Sequence, residues 1–507
     1  MQEVISKHKN WFGFASILLI SLACRIPYFT SANFLPDLDE CISGIMGLHL
    51  MGGENFPVFF YGQQYGFCLP ETILIALSLG TNEVSALSLK LPMLLLYAGG
   101  LFFFHRFLVE RLGWLMSFFG VLVFACMPVW IVWSMKARGG YLTAFFCSFA
   151  LIFLLQKPAL TKPKAVVGGL LFACLYHSNL LWWTGWLIPV FYYLTKQEKP
   201  IFSHFLLSTV FGWLVLYLLA KNNSTFWTLP NSEWSGTLNF NDIKHKLFVF
   251  FGGSFYLDKE LPRTFGIRTL ANFWIYVLLL GLIGAGLMAW RRTLSRETMV
   301  WLSATILLLL VPLIRKTDLF QFRYWLPMSC AAVIFGATLL ERVLPDRKKH
   351  LLLFLLSTSV FSGCLGAAAA WGLGKPSLYQ EHFDLGPDPE KKVLSLCKRL
   401  GTLENTHLFF SDPRLMWLVT YYSAGQVTGR YHFGSDRHMP FVEGANKTVE
   451  KKNNGYLIGS GYSPISDSLL VVFKKRKTVP VEGFFLVENL TKNQLEVIGF
   501  TFKKNPK

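Results

Sequence analysis

The chain predicts a polytopic α-helical membrane protein that carries a small soluble α/β domain at its C-terminal end. Three observations lead there. Of 507 residues, 53% are hydrophobic, 16% aromatic and 15% charged, whereas soluble proteins average about 45–50% apolar and about 25% charged. Mean hydropathy is +0.41. Apolar runs suited to crossing about 30 Å of hydrocarbon recur as far as Trp371 and then stop, giving way to segments rich in Pro, Asp, Lys and Gly. This composition excludes a disordered chain and argues against a cytosolic globular enzyme. The net charge of +18 would point to nucleic acid in a soluble protein; here its distribution among loops matters more than its sum.

In order, the runs fall near 11–28, 85–105, 114–134, 140–155, 165–177, 179–195, 201–220, 271–290, 298–314, 324–341 and 350–371, about eleven spans at 1.5 Å of rise per helical residue. The fourth and fifth are short for full spans. The basic start and the apolar stretch ending in Leu22-Ala23-Cys24 also outline a lipoprotein signal, but Ser21 stands where that signal needs an aliphatic residue, so a retained first helix is expected. Basic residues collect in alternate connections: Lys7 and Lys9, Arg106 and Arg111, Lys157 to Lys164, Lys196 and Lys199, Arg291 to Arg296, and Arg342 to Lys349. The positive-inside rule assigns these to the cytoplasm. On the other side, Ile26 to Leu89 holds no Lys or Arg but carries Asp37, Asp39, Glu40, Glu54, Glu71 and Glu83. Residues 1–371 therefore read as a transmembrane domain with an acidic extracytoplasmic first loop, 29–84. Residues 372–507 read as a soluble domain on that same side. The N-terminus is then cytoplasmic, and the compact layout suits a bacterial inner membrane.

In the soluble part, Asp388-Pro389-Glu390 starts a helix with Pro in its first turn. Strands are expected at Leu408-Phe409-Phe410, Leu469 to Phe473 and Phe484 to Val487, with a helix over Pro413 to Tyr422. Six of nine cysteines lie in expected spans as small hydrophobes. Cys41 and Cys68 share the first loop, which leaves a disulfide between them open. No Cys or His spacing fits a zinc site, and no phosphate-cradling Gly loop or nucleic-acid motif occurs.

Chemistry concentrates at Pro36-Asp37-Leu38-Asp39-Glu40, just beyond the first run and followed by Ile42, Ile45, Met46 and Leu50, which predict a helix lying along the membrane surface. Acids in a first turn complement the helix dipole. Three carboxylates in a loop without basic residues also form a candidate general base or divalent-cation site. Further on, Gly52 to Pro57 and Tyr61-Gly62-Gln63-Gln64-Tyr65-Gly66 offer amides and tyrosines able to bond sugar hydroxyls or to pack over helix ends.

Arg25-Ile26-Pro27, then Asp39-Glu40 about a dozen residues later, then the Gly/Pro/Gln/Tyr loop, resembles the GT-C fold glycosyltransferases. The likeness is to the branch containing protein O-mannosyltransferases and lipid A aminoarabinose transferase, and it extends to Lys136–Tyr141 and Asp318–Pro327. The resemblance implies transfer of a sugar from a polyprenyl phosphate to an acceptor on the outer face, with Asp39 as base and Glu40 as its partner. The acceptor could be lipid, glycan or protein; nucleic acid is not expected. An Asp37-x-Asp39 pattern serves for metal in some relatives, so Mg²⁺ or Mn²⁺ would sit there if an ion is used, although relatives with monophosphate donors often need none.

Such chemistry also requires cations for the departing phosphate. Lys136, Arg138, Arg315, Lys316 and Arg323 stand at span ends against the positive-inside bias, and Arg suits bidentate phosphate contact. Snorkelling to headgroups would place them equally well. Gln64, Tyr65, Tyr141 and His177 are candidate substrate contacts, His177 also reading as a structural histidine. Gly434 to Pro440 is a polar loop that resembles one near the membrane domain of bacterial relatives, and Lys474-Lys475-Arg476-Lys477 reads as a solvated strand end. Two rival readings are a transporter or lipid-carrier flippase, which would need ionisable residues deep in several spans, and a ligase using a diphosphate-linked donor.

Overall fold

The computed structural model describes residues 2–29, 35–54, 57–63, 66–222, 265–290, 293–314, 322–343, 389–431, 437–452, 454–460, 478–481, 484–500 and 502. Long helix α1 (Gln2–Ala23) is followed by one short turn, α2 (Ile26–Phe29). The first loop contributes α3 (Leu38–Gly52) and α4 (Leu69–Leu79). Asp37 caps α3, its carboxylate accepting the Glu40 N–H while Glu40 accepts the Asp37 N–H, so the acids expected in a first turn form a reciprocal capping box.

Helix α5 (Ala86–Ala125) runs for 40 residues but is interrupted at Gly113, whose φ of 79° and ψ of 176° lie outside the helical region. The chain folds back there. Ser117 donates to the His105 carbonyl at 2.9 Å, and the Phe104 and Phe124 rings meet at 5.4 Å. This break separates the runs expected at 85–105 and 114–134, and the second of them is not one helix. It ends at Ala125, and a separate helix α6 (Pro128–Trp133) begins with a proline, which supplies no N–H to a preceding turn.

The remaining helices follow the expected runs: α7 (Tyr141–Leu155), α8 (Lys162–Ser178), α9 (Leu180–Leu194), α10 (Lys199–Asn222), α11 (Phe265–Trp290), α12 (Arg296–Ile314) and, after a 3₁₀ turn at Phe322–Trp325, α13 (Leu326–Val343). The run at 350–371 lies outside the described residues. Among those described, three helices are long and apolar enough to cross a membrane, Ala86–Ala125, Lys199–Lys221 and Arg323–Arg342, and shorter apolar helices accompany them. The chain is an integral membrane protein. Large side chains on α10, including Leu207, Val210, Phe211 and Leu214, are exposed, an arrangement costly in water and neutral in hydrocarbon.

Aromatic rings lock the interior. Trp130 lies 4.7 Å from Phe124 and 5.0 Å from Phe145, and Trp182, Trp186 and Trp301 continue the ladder at centroid separations of 5.4 and 6.1 Å. Arg25, fully buried, ties the end of α1 into this core by donating to Ser134 Oγ at 2.8 Å and to the Trp130 carbonyl at 3.2 Å.

The C-terminal region comprises α14 (Pro389–Gly401), β1 (His407–Phe410), α15 (Pro413–Tyr422), β2 (Thr428–Tyr431), α16 (Met439–Lys452), β3 (Gly455–Ser460), β4 (Thr478–Val481), β5 (Phe484–Leu490) and α17 (Lys492–Val497). Its strands form one sheet in the order β2-β1-β3-β5-β4. β1 is parallel to β2 and β3, while β5 is antiparallel to β3 and β4. Two expected strands and both expected helices are present; the strand at 469–473 lies outside the described residues. This unit docks on the membrane helices. Tyr421 donates to the Ser85 carbonyl at 2.8 Å, and the Glu390 carboxylate accepts from the Ala86 N–H at 3.1 Å and from Tyr422 Oη at 2.8 Å.

Candidate active site

Capping places the acids at the start of α3, and the stretch between α6 and α7 brings cations to them. Lys136 Nζ donates to Asp37 Oδ2 and lies 3.4 Å from Glu40 Oε2. One guanidinium nitrogen of Arg138 stands 3.2 Å from Asp37 and 3.3 Å from Asp39, and its plane faces the Trp133 ring at 5.4 Å. Burial pushes the Asp37 carboxyl upward, but Arg138 and Lys136 outweigh it and hold that group well below the usual carboxylate range.

The two proposed catalytic acids have different surroundings. Glu40 is fully buried, with Lys90 Nζ 2.7 Å from Oε1 and Lys136 near the other oxygen. Asp39 is partly exposed, its side chain retaining 16% accessibility. Arg138 engages Asp39 Oδ2, and Arg437, from the C-terminal region, donates to Oδ1 at 3.0 Å. Arg437 also faces the Phe60 ring at 5.5 Å. Its neighbour His438 stacks on Tyr61 at 4.7 Å, and His49 hydrogen-bonds Tyr61 Oη at 2.7 Å. The first loop and the C-terminal region thus meet directly over Asp39.

Of the other expected residues, Arg323 occupies the 3₁₀ turn within electrostatic reach of Tyr141, Arg138 and Asp39. Tyr141 opens α7 with its ring 5.2 Å from Trp133. His177 is buried at the end of α8, Nε2 3.2 Å from the Trp213 carbonyl oxygen and its ring 5.9 Å from Phe59, while its own carbonyl accepts from Gly66 and Phe67. That placement fits the structural alternative. Gln64, Tyr65, Arg315, Lys316, the Gly434–Asp436 part of the polar loop and the Lys474–Lys477 run lie outside the described residues. Cys41 and Cys68 are buried free thiols.

No cluster of three or more His, Cys, Asp or Glu side chains suited to a metal converges among the described residues. The Asp37 and Asp39 carboxylates are instead met by Lys136, Arg138 and Arg437.

Sequence reasoning missed three participants. Lys90 follows directly on the stretch devoid of basic residues and reads as the start of a span. Arg437 lies 398 positions from Asp39, and within its polar loop nothing sets it apart. Glu71 reads as one more loop acid, yet its carboxylate is buried and accepts from the N–H groups of Gly140, Leu142 and Thr143 at 3.3, 3.1 and 3.0 Å and from Thr143 Oγ1 at 3.2 Å. Burial pushes Glu71 up to about 7 against the pull of those donors.

Neither a family model nor a curated protein sequence matches the chain. Solved structures do. The crystal structure of ArnT from Cupriavidus metallidurans in the apo state is similar over 94% of this chain and 98% of that one, with a TM-score of 0.59 and 12% identity. The structure of the same protein bound to undecaprenyl phosphate matches with the same coverage, score and identity. The chain has the GT-C fold. At 12% identity the likeness concerns architecture alone. The acids at the head of α3 lie in the segment between α1 and α5.

Proposed function

We propose that the protein is an integral-membrane glycosyltransferase that moves a sugar from a polyprenyl-phosphate donor to an acceptor hydroxyl. The observation that carries this reading is a partly exposed Asp39 at the mouth of a buried cluster that also holds Arg138 and Lys136, set in a fold shared with a protein solved with undecaprenyl phosphate. Asp39 is the general base. As the acceptor oxygen attacks the anomeric carbon, its proton passes to the Asp39 carboxylate. The bond from that carbon to the phosphate oxygen breaks with its electron pair going to the phosphate, and the sugar inverts. Charge gathering on the phosphate is met by Arg138 and Lys136, with Arg323 close by. Glu40, both of whose oxygens face lysines, anchors the cluster and leaves proton transfer to Asp39.

On this reading, residues 1–371 form the membrane domain, and loop 29–84 and residues 372–507 lie outside, with the N-terminus in the cytoplasm of a bacterial inner membrane. Topology and donor then agree, because nucleotide sugars are made inside and an outward-facing site needs a donor already carried across. Purified protein supplied with undecaprenyl-phosphate sugars and candidate acceptors should release undecaprenyl phosphate. Asp39→Asn should lower that rate by about 10² to 10⁴ while leaving the fold intact. Full turnover by this variant would remove Asp39 from the chemistry.

A further inference from the structure

The stretch that carries Lys136 and Arg138 is irregular, yet its two cations must be held in place if they are to meet a phosphate. It is tied down at its middle and at its far end. Between the two cations, Ser43 of α3 donates to the Ala137 carbonyl at 3.0 Å. At the far end, Gly140 and the first turn of α7 donate four hydrogen bonds to Glu71, which reaches across from α4. Three of these fall on Oε1, and Oε2 receives the Gly140 N–H at 3.3 Å. Glu71 is 1% exposed. A buried carboxylate bonded by four donors and spending its charge on a helix start is expensive to desolvate, and the segment it fixes begins two residues after Arg138.

We propose that Glu71 is a positioning residue for phosphate binding: by gripping Gly140 and the head of α7 it sets where Arg138 and Lys136 stand. This rests on the reading of Arg138 and Lys136 as the phosphate site. Glu71 contacts no substrate and acts through the backbone of that stretch. Glu71→Gln keeps an acceptor for the Oε1 donors but turns Oε2 into an NH₂ group facing the Gly140 N–H, so one end of the stretch loses its anchor without a change of volume. Glu71→Asp keeps the carboxylate.

The probe is undecaprenyl phosphate itself, titrated into the full-length protein in detergent and followed by tryptophan fluorescence, with thermal unfolding recorded in parallel. Expected results are binding weakened about tenfold or more in Arg138→Ala, weakened about tenfold in Glu71→Gln with little change in unfolding temperature, and largely recovered in Glu71→Asp. Wild-type affinity in Glu71→Gln, with Arg138→Ala weakened, would overturn the positioning role and leave the proposed function standing. Wild-type affinity in Arg138→Ala would remove the phosphate reading, and the positioning role with it. Loss of binding and of thermal stability in parallel, unrecovered by aspartate, would reduce Glu71 to a packing role. Should Glu71→Gln fail to fold, Thr143→Ala removes one donor only and should weaken binding several-fold; unchanged affinity there would also overturn the proposal.

Discussion

At the scale of single residues, the site depends on how each carboxylate is balanced. Glu40 is fully buried and Lys90 nearly so, 2.7 Å apart. Removing one partner of such a pair leaves a desolvated charge, at a cost of about 3 kcal/mol or more. Lys90→Ala should therefore destabilise the protein by about that amount in denaturant titration, whereas Lys90→Met combined with Glu40→Gln should recover much of the loss. A single substitution no more costly than the double would show that the pair is not coupled. Asp39 is held differently: Arg138 is buried and shared with Asp37, while Arg437 is more exposed and comes from another part of the chain. Of the two, Arg437 is the partner an acceptor can displace, so Oδ1 is the oxygen that takes the acceptor proton in the proposed reaction. Arg437→Lys should lower the apparent KM for acceptor in steady-state kinetics, because a flexible point charge holds Oδ1 less firmly than a planar fork and is displaced more easily.

At the scale of elements, His49 at the end of α3 and His438 ahead of α16 meet through Tyr61, their rings 5.2 Å apart. Burial pushes His438 down to about 4, His49 adding to the effect, and burial also lowers His49 although Glu54 opposes it. Both imidazoles are neutral in the folded protein near neutral pH, while the unfolded chain binds protons from about pH 6.5 downward. The stability they confer is therefore full above about 6.5 and is lost as pH falls toward 4. Unfolding temperatures measured across that window should fall less steeply in His438→Gln than in the wild type. Parallel curves would show that His438 does not report on the contact. The elements differ in how plainly they could be foreseen. Helix starts at Pro389 and Pro413 and the apolar runs at 201–220 and 298–314 are written in local chemistry. The break at Gly113 falls in the basic connection between the runs expected at 85–105 and 114–134. The end of α5 at Ala125 is not written there, because the apolar run continues through Pro128 and hydropathy does not register the change of direction.

At the scale of the whole molecule, the C-terminal region completes the site besides docking near it. Tyr421 lies so close to α3 that a Cβ at Gly44 would meet its ring at 2.4 Å. Gly44→Ala should push α15 off α3 and raise hydrogen exchange along Pro413–Tyr422 and around Arg437, while α7 to α9 stay protected. Exchange confined to α3 alone would mean that the docking tolerates the methyl group.

Composition, hydropathy and the alternation of charge sufficed for a membrane protein with an appended α/β unit, since the cost of placing polar groups in hydrocarbon is paid residue by residue and leaves its mark along the chain. The first-loop acids were legible for the same reason, standing in a stretch without basic residues. Lys136 and Arg138 stood out as cations against the positive-inside bias, but that Lys90 and Arg437 also answer those acids was not legible, because they meet them only when α3, α5 and the C-terminal region pack against one another. Coulomb attraction depends on distance in space, and separation along the chain carries no record of it.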